Sequence, residues 1–125
     1  AENKRVIYEN ESAIAIAPFA SRQPFEVRIF PKEHPPHFTD TSPSVYKSVA
    51  DVLWNVLKKM EVHLNDPDYN FFIHAAPLRD NARYKHYHWH IEVLPKLSAF
   101  AGLEWGTGII VNVIEPEEAS RILRS

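Results

Sequence analysis

Val45, Val49, Val52, Leu53, Val56, Leu57, Met60 and Leu64 recur at intervals of three and four residues along the chain. This spacing predicts one long amphipathic helix over residues 42–65. Ser42 followed by Pro43 reads as its start, the serine oxygen capping free amides and the proline occupying the first helical position. Asp66-Pro67 stops it, and Lys58, Lys59 and His63 near its C-terminal end suit the helix dipole. A lone helix of this kind needs an apolar surface to cover, and the flanking sequence changes to a period of two.

Before the helix, residues 6–8, 13–17 and 25–30 read as three short strands. Phe25, Val27 and Ile29 share one face of the third. Short links between them imply antiparallel pairing. Residues 34–40 carry Pro35 and Pro36, whose missing N–H groups and steric demands make this stretch a loop. After the helix, residues 69–75 form an aromatic-rich strand, 77–85 a polar loop and 86–94 a further strand. An irregular stretch holding all 3 glycines precedes a strand over 109–113. Glu115-Pro116-Glu117-Glu118 opens a short last helix. The fold class expected is α+β, a single domain over residues 1–125. Its antiparallel sheet has about five strands, with the long helix on one face and a short C-terminal helix.

The strand over 86–94 carries the chemistry. Alternation places His86, His88, His90 and Glu92 on one face, and Tyr87, Trp89, Ile91 and Val93 on the other. The second set is a core stripe. The first is a row of titratable groups, costly to desolvate without partners. His74 joins it if the strand over 69–75 is a neighbour, because the period there puts Asn70, Phe72 and His74 opposite the core side of Tyr69, Phe71 and Ile73. Two chemistries suit such a row. Imidazole and carboxylate ligands converge on a divalent cation such as zinc or iron, or one imidazole attacks phosphorus while its neighbours orient it and stabilise charge. An exposed and unused sheet face is the bland alternative. Three alternating histidines ending in Glu92 weigh against it.

Other candidates carry less. His34 and His37 read as surface-loop residues, and Lys32, Arg79 and Arg83 as solvated charge. The stretch from Gly102 to Gly108 lacks the spacing of a phosphate loop. It is either a tight turn or a close approach of backbone to a small ligand, with Glu104 accepting hydroxyl protons. Composition narrows the partners. Lys and Arg number 14 against 16 Asp and Glu, a formal net charge of −2, which argues against a broad nucleic-acid surface. With 0 cysteines there is no disulfide, thiolate ligand or thiol nucleophile. No apolar run approaches the ~20 residues of a membrane span, and the expected location is cytoplasmic.

His88-Trp89-His90-Ile91-Glu92-Val93-Leu94-Pro95 resembles the histidine-triad signature, with Glu92 in place of the third histidine. Pro24 through His34, the run His37-Phe38-Thr39-Asp40, Tyr69-Asn70 through Pro77, and Ala101 through Gly108 extend the likeness. Together they resemble the C-terminal half of galactose-1-phosphate uridylyltransferase over nearly the whole chain. That resemblance implies a histidine-triad-like fold. It also implies nucleotidyl transfer between a nucleoside-diphosphate sugar and a sugar 1-phosphate, through a histidine in a His-Pro-His motif that this chain lacks. The chain is therefore expected to be a C-terminal domain, inactive without an N-terminal half, and to form a homodimer. The implied metal ligands, for zinc or iron, are His74, His90 and Glu92. The implied hexose contacts are Ala101, Gly102 and Glu104, while Ser98 and Leu103 stand where some relatives have Lys and Tyr. An alternative is a stand-alone histidine-triad hydrolase or transferase, with His90 at the nucleophile position and His88 at the preceding triad position. A metal-stabilised, non-catalytic dimerisation module is the third reading.

Overall fold

A computed structural model describes residues 5–19, 23–33, 38–75, 88–97 and 114–125. Five strands, β1 (Val6–Glu9), β2 (Ala13–Ile16), β3 (Val27–Pro31), β4 (Tyr69–His74) and β5 (His90–Pro95), form one sheet, with helices α1 (Pro43–His63) and α2 (Pro116–Arg124). Every pairing is antiparallel, and the spatial order is β1-β2-β3-β5-β4. The last of the described strands in sequence, β5, is thus inserted between β3 and β4. The expected α+β architecture is what forms.

Side-chain size explains how α1 sits on the sheet. Its Val45, Val49, Val52, Val56 and Met60 are buried, the stripe that the helical spacing predicts. Beneath them Ala13 and Ala15 of β2 are fully buried, small enough for the helix to come close. Val27 opposite Val93 and Ile29 opposite Ile91 continue this core into β3 and β5, and Ala119 and Leu123 of α2 close one end. Asn10 ties the first hairpin to α1. Its Oδ1 accepts from the Ser12 and Ala13 amides, and its Nδ2 donates to the Ser48 carbonyl at 2.9 Å.

Four local details depart from the expectations. Ser42 is the N-cap residue, but its side chain makes no capping hydrogen bond; its Oγ lies 3.3 Å from Ser44 Oγ instead. Phe38–Asp40 is a single 3-10 turn rather than loop, because Tyr46 Oη donates to the Phe38 carbonyl and Thr41 N–H returns to it. β3 begins at Val27, and Phe25 precedes it with φ 60, buried all the same. β5 begins at His90 rather than His86, whose own position lies outside the described residues. Trp89 directly before it is fully buried, its Nε1 donating to Thr41 Oγ1 at 2.7 Å with Phe38 edge-on at 4.9 Å. The strand expected over 109–113 and the irregular stretch before it lie outside the described residues.

α1 packs across β1, β2 and β3. Among the described strands β4 is outermost and is left half-covered, and Tyr69, Phe71 and Ile73, expected on the core side, are 42–47% exposed. A groove of about 450 Å³ between α1 and β4 is lined by Tyr46, Leu53, Phe71, Ile73 and Trp89 among others. Among the described residues no helix is long and apolar enough to cross a membrane.

Candidate functional site

The face of the sheet away from α1 carries the polar residues of three adjacent strands. Arg28 of β3 stands opposite Glu92 of β5, Glu92 opposite Phe72 of β4, and His90 opposite His74. Direct cross-strand partners lie within side-chain reach, so the register alone assembles the cluster. The alternation that buries Trp89, Ile91 and Val93 against the core therefore presents His90 and Glu92 together on the other side.

Glu92 is the centre. Although on the face away from the helix, it is only 5% exposed. Its Oε2 lies 2.5 Å from His74 Nε2 and 3.6 Å from His90 Nε2, while Oε1 is 3.5 Å from Arg28 Nε. Arg28 Nε also donates to Glu26 Oε2 at 3.1 Å, and the Glu26 side chain is fully buried. Phe25, at its positive φ, immediately precedes Glu26; a bulky residue held there marks local strain at the margin of the cluster. The His74 and His90 rings stack at 5.2 Å and 10°, and Phe30 lies 5.0 Å from His90 on β3. Burial among these rings strips water from His90 and pulls its pKa below the usual imidazole value, against the opposing pulls of the His88 carbonyl and the Glu92 charge. The imidazole is consequently neutral near pH 7.

The structure thus brings together His74, His90 and Glu92. His88 lies in the extended segment before β5, exposed, with its carbonyl oxygen 3.4 Å from His90 Nδ1. Lys32 pairs with Glu9 on the surface at 2.8 Å. His34, His37, Arg79, Arg83, His86, Ala101, Gly102 and Glu104 lie outside the described residues. Arg28 and Glu26 were not among the residues singled out from the sequence. Their signal was available, since Glu26 and Arg28 alternate with the core residues Val27 and Ile29.

As a metal centre the trio does not fit in this arrangement. Zinc ligands stand about 2.0–2.2 Å from the ion, which holds tetrahedral donor atoms about 3.3 Å apart. His74 Nε2 and Glu92 Oε2, at 2.5 Å, are closer than that and hold one another directly. Among the described residues no three His, Cys, Asp or Glu are arranged to hold a metal ion. The set His74, His90 and Glu92, implied as ligands by the resemblance, stands in this structure as a polar cluster with Arg28.

Comparisons with known proteins bear on what this cluster belongs to. The family model for the galactose-1-phosphate uridyl transferase C-terminal domain matches residues 1–100. The chain is 36% identical over 120 residues to an ADP-glucose phosphorylase of Arabidopsis thaliana, covering 95% of this chain and 34% of that protein. A crystal structure of an ADP-glucose phosphorylase from the same plant with bound ADP-glucose superposes with a TM-score of 0.83 over 98% of this chain and 41% of that one. A galactose-1-phosphate uridylyltransferase of Thermotoga maritima is 34% identical over 129 residues, covering 97% of this chain and 40% of that protein. The chain thus spans well under half the length of these relatives. A zinc-bound histidine triad family protein from Mycobacterium smegmatis, 22% identical over 95% of this chain and 80% of that one, shares the fold with a TM-score of 0.68. With the histidine-bearing β5 set between β3 and β4 and the family model matching residues 1–100, the chain belongs to the galactose-1-phosphate uridyl transferase C-terminal domain family.

Proposed function

We propose that this chain serves as one half of a nucleotidyltransferase that moves a nucleotidyl group between a nucleoside-diphosphate sugar and a sugar 1-phosphate. The observation that carries this reading is the family match over residues 1–100, which contain the five described strands and their polar cluster. The nucleophilic histidine belongs to the other half in this reading, because the chain has no His-Pro-His. Ala101, Gly102 and Glu104 contact the hexose, Glu104 accepting hydrogen bonds from sugar hydroxyls. The sheet-face cluster holds β3, β5 and β4 in register. The zinc or iron implied by the resemblance would be held by His74, His90 and Glu92 only after His74 moved off Glu92, and no step is assigned to it. The protein acts in the cytoplasm.

A partner surface accompanies the proposal. Phe71 and Ile73 expose large apolar area along the α1–β4 groove. A second half of the protein, or a second copy of this chain in a homodimer, would cover it.

The test is an assay of the full gene product. ADP-glucose and UDP-glucose are each offered with glucose 1-phosphate, galactose 1-phosphate or inorganic phosphate, and the exchanged nucleotide sugar is measured. Transfer with at least one pair is expected, and Glu104→Gln should raise the sugar substrate's KM about tenfold or more. No transfer with any pair, or a parent gene with no coding sequence for a second half, would sink the reading.

A stand-alone triad enzyme with His90 as nucleophile has one observation in its favour, the burial of His90, which lowers its pKa and favours the uncharged imidazole. The Glu92 carboxylate 3.6 Å from His90 Nε2 counts against it, since phosphoryl oxygens would meet a like charge there. A nucleotidylated protein lost in His90→Asn would reverse that ranking.

A further inference from the structure

We infer that Arg28, and not a divalent metal ion, compensates the carboxylates of the sheet-face cluster, so that Arg28, Glu92 and His74 form a metal-independent strap across β3, β5 and β4. Glu26 and Glu92 are two carboxylates almost wholly removed from water. Neither can stay ionised there without a positive partner or strong donors. Arg28 Nε lies between them, 3.1 Å from Glu26 Oε2 and 3.5 Å from Glu92 Oε1. The second oxygen of Glu92 meets His74 Nε2 at 2.5 Å. Both oxygens of the central carboxylate are thereby engaged from opposite sides, one by each neighbouring strand.

A divalent ion on His74, His90 and Glu92 would have to displace the His74 contact and share Glu92 with a guanidinium that keeps its charge at any physiological pH. Withdrawal of Arg28 would also break its 3.1 Å contact with the fully buried Glu26 side chain. The inference rests on the geometry of this cluster and stands whether or not the transfer reaction is found.

The experiment counts bound metal in the purified full gene product after exposure to Zn²⁺ or Fe²⁺, and records visible absorption on titration with Co²⁺. It compares wild type, His74→Ala and the double variant Arg28→Leu/Glu92→His. Wild type and His74→Ala should carry equal metal and give the same Co²⁺ spectrum. The double variant, which removes the guanidinium and supplies a third imidazole, should bind one further Co²⁺ per chain. Loss of one metal ion per chain in His74→Ala overturns the inference, as does a folded double variant that gains no Co²⁺. Should the double variant not fold, the comparison of wild type with His74→Ala decides the matter alone.

Discussion

Glu92 and Arg28 show how much of a site depends on which residues end up opposite each other. That Glu92 faces away from the core was legible, because one residue's shift in a strand reverses its face. That it is buried, and by what, was not, since its partners lie on two strands distant in sequence. Replacing Arg28 with Leu takes the guanidinium away from two buried carboxylates and should cost about 3 kcal/mol in denaturant unfolding. Lys32→Leu, at an exposed pair with Glu9, should stay within about 0.5 kcal/mol. Equal costs for the two would remove the compensating role of Arg28. His90 supplies a pH dependence of definite sign. Burial lowers its folded pKa, so between that value and the ordinary imidazole value of about 6.5 the unfolded chain binds more protons. Stability therefore falls with acidification through that window and levels off below the lowered pKa. His90→Phe should flatten this slope in unfolding measured across the window, and an unchanged slope would show that another group is responsible.

Among the elements, α1 was the most legible, because a stripe at helical spacing has few other uses. Its first turn was read less well: Ser42 takes the cap position but bonds to Ser44 rather than to the helix amides. Ser42→Ala should accordingly cost less than about 0.5 kcal/mol, where a bonded cap costs about 1. Thr41→Val should cost more, about 1–3 kcal/mol, because it takes the acceptor from the fully buried Trp89 indole. Thermal or chemical unfolding of the two variants checks the order, and a larger loss at Ser42 would contradict it. The strand starts at His90 because its neighbour β4 ends at His74, the residue directly opposite, although period two runs back to His86 in sequence.

For the whole molecule, the sheet order decides what α1 can cover. Lying over β1, β2 and β3, the helix leaves β4, the outermost of the described strands, with Phe71 and Ile73 half-exposed. Phe71→Lys should change unfolding free energy by less than about 1 kcal/mol, yet weaken association with a second half or copy about tenfold or more by sedimentation velocity. A strong loss of stability without change in association would place Phe71 in the core instead. The sequence by itself determined the α+β class, the single long helix, and the face on which His74, His90 and Glu92 stand, because periodicity is a local property of the chain. It also carried the family, through motifs spread along it. Only the tertiary structure decided that β5 inserts between β3 and β4. That insertion brings Arg28 to Glu92 and His74 to His90, and no local pattern encodes it, because cross-strand register is set by the packing of the whole sheet.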